Sequence, residues 1–172
     1  MTERGFVEES CGPDFSYAPS YLPMTCPDTS SCKKWYSTDY AYVGGYYGGA
    51  TIEMMMEELV ANGPLNVGIY APSDFHSYAG GVYYQPSSGL ESDWNPLVPT
   101  NHAVVVVGYG RCPSVITEGC GCNAGQENLP YWKVKNSWGS GWGEDGYFKV
   151  LLGVDEIAVE SKPFAAMPVG QF

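Results

Sequence analysis

Apolar positions recur at helical spacing most clearly between Thr51 and Asn62. There Ile52, Met55, Met56, Leu59 and Val60 fall together, Glu53, Glu57 and Glu58 take the other side, and Gly63-Pro64 ends the pattern. The spacing predicts one amphipathic helix, with the Met54-Met55-Met56 run read as core filler. Elsewhere the pattern is short β-branched or aromatic runs divided by turn residues: Leu65 to Tyr70, Gly81 to Tyr84, His102 to Tyr109, Tyr131 to Lys135 and Tyr147 to Leu151. These predict strands. The run after His102 is apolar at every position to Val107, as a strand buried on both faces would be. Tyr36 to Gly49 reads as a strand entering a tight glycine-rich turn. A single helix with these strands predicts an α+β fold, mainly an antiparallel sheet closed on itself in a barrel-like way or packed on the helix.

Two stretches break the pattern. From Cys11 to Cys32, Pro13, Pro19, Pro23 and Pro27 forbid a long helix and disfavour a strand core, which predicts a stapled loop. Gly110 to Pro130 is long for a loop and contains Cys112, Cys120 and Cys122. The chain is accordingly divided into a loop-and-strand region at 1–49 and a helix-plus-sheet region at 50–172.

Composition narrows the function. The 172 residues, 44% hydrophobic, suffice for one core. A net charge of −11 argues against a nucleic-acid partner, because phosphates demand a basic surface. No apolar run is long enough to span a membrane, and Met1 to Glu9 lacks the apolar core of a signal peptide. Six cysteines among Gly, Pro and Ser predict disulfides and an oxidising compartment. Cys120-Gly121-Cys122 lacks the usual zinc spacing, so no metal is expected.

The chemistry concentrates in two segments: Asn101-His102-Ala103 with its following Val104 to Gly110, and Tyr131 to Tyr147, which contains Lys135-Asn136-Ser137-Trp138-Gly139-Ser140-Gly141-Trp142-Gly143. In this order they resemble the second half of a papain-family cysteine protease. Within that family, Gly5 to Cys11, Tyr40 to Gly49, Asn101-His102 and Asp155 to Ser161 are most similar to the cathepsin C, or dipeptidyl-peptidase I, branch.

The resemblance implies a papain-like fold, represented mainly by its antiparallel, barrel-like right-hand subdomain with one good helix. It implies His102 as the general base and Asn136 as the residue holding its tautomer, with Asn101, Trp138 and Trp142 supporting the site. Trp138 is expected over the His102–Asn136 contact and Trp142 beneath the site. Ala103 matches a pocket-lining position. Lys162 stands where cathepsin C has an apolar residue near the same pocket. Tyr42 matches a tyrosine that helps bind chloride, the only cofactor the resemblance suggests. It also implies a Cys11–Cys32 disulfide, leaving Cys26 bonded to another chain or free. Cys112 is expected to pair with Cys120 or Cys122. His76 matches no catalytic element and reads as a surface residue.

The family's nucleophile precedes its His and Asn by roughly 130–150 residues. Counting back from His102 passes Met1, and no cysteine here has the nucleophile's C-G-[SA]-C-[WY] setting. A Cys-bearing half and an exclusion domain are therefore expected from another chain or a precursor, with peptides as substrates and a lysosomal, vacuolar or secreted location. The alternative expectation is a non-catalytic subunit of an assembly, derived from such a protease.

Overall fold

The structure, a computed structural model, describes residues 6–7, 31–85 and 99–169. It groups the chain into two compact units, residues 1–40 with 166–172, and residues 41–165. In the first unit, strand β1 (Phe6–Val7) pairs antiparallel with the start of β2 (Lys34–Tyr42), Phe6 opposite Trp35. The Lys33 ammonium lies 4.3 Å above the Trp35 ring. Cys32 is disulfide-bonded. Its expected partner Cys11, together with Cys26 and the proline-rich loop, lies outside the described residues.

The second unit contains the helix α1 (Ile52–Ala61), one residue inside the predicted bounds at each end. The reason is capping: Thr51 Oγ1 accepts from the Met54 N–H at 3.3 Å, and the Asn62 N–H donates to the Glu58 carbonyl at 2.8 Å. Met55 is fully buried, as the helical spacing requires.

Strands β3 (Leu65–Ile69), β4 (Val82–Tyr83), β5 (His102–Arg111), β6 (Pro130–Lys135) and β7 (Tyr147–Leu151) follow. Their spatial order is β3-β5-β6-β7-β4. The first four pair antiparallel, while β4 lies parallel to β7, with Val82 opposite Lys149. The expectation that β5 is buried on both faces is corrected. Val104 and Val106 are buried, whereas Ala103 is exposed and Val105 and Val107 are half-buried. A strand with antiparallel partners on both sides alternates, one face toward the core and one away from it. Leu65, Val67 and Ile69 of β3, Trp132 and Val134 of β6, and Phe148 and Val150 of β7 join that core with Phe75 and Met55.

Strand β8 (Phe164–Val169) was not anticipated; its first residue, Phe164, pairs with Asn66. The turn before it holds Asp155, Ile157 and Ala158 at φ of 52°, 50° and 66°. A β-branched residue in that region costs about 1–3 kcal/mol and persists only where its surroundings fix it. Here Glu160, 6% exposed, accepts from Trp132 Nε1 and Gly153 N–H at 2.7 Å and from Asp155 N–H at 2.8 Å.

The 110–130 loop is stapled by a Cys112–Cys122 disulfide, which leaves Cys120 free. Buried Gln126 ties the loop to β4. Its Oε1 accepts from Val82 N–H at 2.9 Å, and its Nε2 donates to the Val82 carbonyl at 2.7 Å. Lys149 adds a hydrogen bond to the Gly121 carbonyl and an ion pair with Glu144.

Candidate active site

His102 opens β5, and Asn136 directly follows β6. Because these strands are antiparallel neighbours, with Val105 opposite Lys135, the start of one lies beside the end of the other. The two side chains meet there, His102 Nε2 lying 2.8 Å from Asn136 Oδ1. The Ser137 N–H also donates to that Asn136 atom, at 2.8 Å, so the atom is the amide oxygen. An oxygen can only accept, hence His102 carries its proton on Nε2 and leaves Nδ1 as the basic nitrogen. Asn136 is 7% exposed, and its backbone N–H donates to the Gly146 carbonyl at 2.9 Å. A neutral amide in that buried place orients the ring without the cost of burying a carboxylate.

Aromatic rings wall the site. Trp138 lies 5.0 Å from the His102 ring, tilted by 30°. Trp142 meets Trp138 edge-on at 4.9 Å, and fully buried Phe75 packs against both indoles, at 5.7 and 5.2 Å. The chain folds back here at Gly143 (φ +60°), where a Cβ would come within 2.6 Å of the Tyr147 carbonyl.

His76 is exposed, as its turn-like sequence suggests, yet its ring stacks on Trp138 at 4.7 Å with an angle of only 8°. Its carbonyl accepts from Trp142 Nε1 at 3.0 Å. No periodicity or motif signals this placement; it depends on a 3-10 turn at Ser73–Ser77 folding beneath Trp138.

Asn101 acts one step back. Its N–H donates to the Ile69 carbonyl at 3.0 Å, and its side chain accepts from Ala71 N–H at 2.8 Å and donates to the Ala71 carbonyl at 3.3 Å. These bonds pin the chain after β3 to the entry of β5.

The remaining site candidates form a second group. Ala103, exposed, lies opposite Gly68. Lys162 precedes Phe164 by two residues, on the Gly68 side of its pairing with Asn66. Lys162 Nζ lies 5.8 Å above the Tyr47 ring, which meets Tyr42 edge-on at 5.5 Å. Tyr42 is 41% exposed. Burial pushes the Asp155 carboxyl up to about 6 and raises that of Glu156, with Asp74 and Asp155 adding repulsion in the latter case. Among the described residues, no cluster of three His, Cys, Asp or Glu could hold a metal, and no helix is long and apolar enough to cross a membrane.

Comparison with known proteins agrees with this geometry. A family profile described as papain family cysteine protease matches residues 2–167. Cathepsin C of Schistosoma mansoni is 44% identical over 79% of this chain and 28% of its own length. Cathepsin B-like CP2 of Giardia intestinalis is 32% identical over 96% of this chain and 48% of its own. Among solved structures, procathepsin B S9 from Trypanosoma congolense superposes with a TM-score of 0.62 at 28% identity, over 98% of this chain and 51% of that one. The chain thus spans about half or less of each of these three proteins.

Proposed function

Because the chain belongs to the papain family of cysteine proteases and has its α+β fold, we propose that it is the His- and Asn-bearing half of a thiol-dependent dipeptidyl peptidase of the cathepsin C type. A Cys-bearing half and an exclusion domain, on another chain or precursor segment, complete it. The 44% identity to a cathepsin C, against 32% to a cathepsin B-like protein, supports that branch. The observation that carries the reading is the 2.8 Å contact between His102 and Asn136.

In this mechanism His102 Nδ1 takes the proton of the incoming thiol, and the thiolate attacks the peptide carbonyl. The imidazolium, held by Asn136 Oδ1, then protonates the leaving amine as the tetrahedral intermediate collapses to a thioester. Water, deprotonated by the same imidazole, hydrolyses the thioester and regenerates the thiol. Trp138 shields the His102–Asn136 bond from water.

Ala103 and Lys162, flanking Gly68, line the pocket for the acyl side of the substrate. Part-exposed Tyr42 is the residue that would help hold a chloride ion near the pocket. The Cys112–Cys122 disulfide supports an oxidising compartment, lysosomal, vacuolar or extracellular.

The test is to produce this chain together with its Cys-bearing half and measure release of dipeptides from peptides with free N-termini. Hydrolysis that thiol reagents block and His102→Ala abolishes is expected. An assembled protein that cuts no peptide, or cuts equally well as His102→Ala, defeats the reading and leaves a structural subunit in its place.

A further inference from the structure

Resting on that reading, we propose that His76 determines specificity on the leaving-group side of the site, its imidazole recognising a carboxylate in the peptide segment released by cleavage. An exposed histidine in a surface turn is ordinarily free to rotate. This one is fixed: its ring lies parallel on Trp138, its carbonyl is held by Trp142 Nε1, and its neighbour Phe75 is fully buried. His76 and His102 therefore share one indole, with ring centroids 4.7 and 5.0 Å from it.

The direction of the substrate follows from the proton. The leaving amine receives its proton from His102, so the released segment must pass close beside that ring. One flank of His102 is the outer face of β3 and β5, with Gly68 and Ala103 opposite each other, assigned above to the acyl side. The Trp138–His76 flank remains for the released segment.

The charge of the ligand follows from the ring. Stacking covers one face of the imidazole and leaves an edge N–H to donate to an acceptor such as a carboxylate. The acidic residue of the same turn, Asp74, is already engaged, accepting from Tyr83 Oη at 3.0 Å and from Gln85 Nε2 at 3.5 Å. In a chain of net charge −11, this is a fixed imidazole beside the reaction centre that is able to receive an acidic group.

Two measurements test it. In the assembled peptidase, substrates differing only in the first released residue are compared as Glu against Lys. His76→Gln is expected to lower the Glu/Lys ratio of kcat/KM by roughly 3- to 5-fold, the size of an exposed ion pair, with acyl-side preference and thioester hydrolysis unchanged. An unchanged ratio in an active enzyme overturns the proposal. The second measurement needs no catalysis. The chain has two histidines, so its NMR spectrum carries two imidazole signals, assigned by His76→Gln. A peptide amide beginning with Glu, but not its Lys counterpart, is expected to shift the His76 signal. A shift without hydrolysis keeps the site and removes the peptidase reading; an inactive protein whose His76 signal ignores the Glu peptide removes both.

Discussion

Asn136 offers one amide oxygen both to His102 Nε2 and to the Ser137 N–H, each at 2.8 Å. The second bond makes the first directional: it fixes the amide orientation and so the tautomer of His102. Asn136→Ala should leave the imidazole free to rotate and exchange tautomers. We expect kcat of the assembled peptidase to fall by about 10²-fold, within the usual range for disabling a general base, while KM changes little. Asn136→Gln, whose longer arm displaces the oxygen, should behave like Asn136→Ala. Steady-state kinetics of the variants beside wild type checks both, and a loss confined to KM would contradict the orienting role.

Cys120 is free and part-exposed, two residues from the Cys112–Cys122 disulfide, and its thiol lies toward the Cys122 carbonyl at 3.5 Å. It sits in the stapled loop rather than against His102. General alkylating reagents should modify it without help from His102. Mass spectrometry of the alkylated chain should show the same rate in His102→Ala. A rate that depends on His102 would place a nucleophile on this chain, against the proposed division of labour.

How far the sequence was legible depended on how local each determinant is. The helix at 52–61 and strands β3 to β7 rest on periodicity and turn residues visible in the chain itself, whereas the pairing of His102 with Asn136 was expected from the papain-family resemblance of their segments. Features made by distant contacts were not visible. Ile157 in a left-handed conformation depends on Glu160 gathering donors from Trp132, Gly153 and Asp155. The inner edge of the 110–130 loop depends on Gln126 reaching Val82, 44 residues away. His76 acquires its place only because Phe75 is drawn into the core under Trp138 and Trp142. Strand β8 begins with Phe164 paired to Asn66, a contact between residues far apart in the chain that no local pattern announces.

Gln126 joins the loop to the sheet with both ends of its amide, and Asn123 N–H adds a further donor to Oε1 at 2.9 Å. Gln126→Ala leaves the Val82 N–H and carbonyl unpaired in a buried place. Such losses cost about 1–3 kcal/mol for each group stranded. We expect a global destabilisation of roughly 2–4 kcal/mol in urea titrations, with faster amide exchange at Val82. If Val82 exchange is unchanged, the loop is not what secures β4.

The Asp155 carboxyl, raised from an ordinary 3.8 to about 6, makes stability depend on pH. Burial is the main cause, and the neighbouring Glu160 adds to it, while hydrogen bonds from Ser161 Oγ and the Glu160 N–H act the other way. A carboxyl whose value is higher in the fold than in the unfolded chain binds its proton more tightly when folded. Its stabilising contribution is complete below about pH 4 and is lost as pH rises through about 6. A shift of this size amounts to roughly 1–3 kcal/mol. We therefore expect the urea midpoint to rise between pH 7 and pH 4.5. Asp155→Asn, which resembles the protonated form, should be more stable than wild type at pH 7 and lose much of the pH dependence. Because the other carboxylates of this acidic chain also lose mutual repulsion in acid, the test is the difference between wild type and Asp155→Asn across the pH range. Parallel curves for the two would show that Asp155 does not titrate in this window.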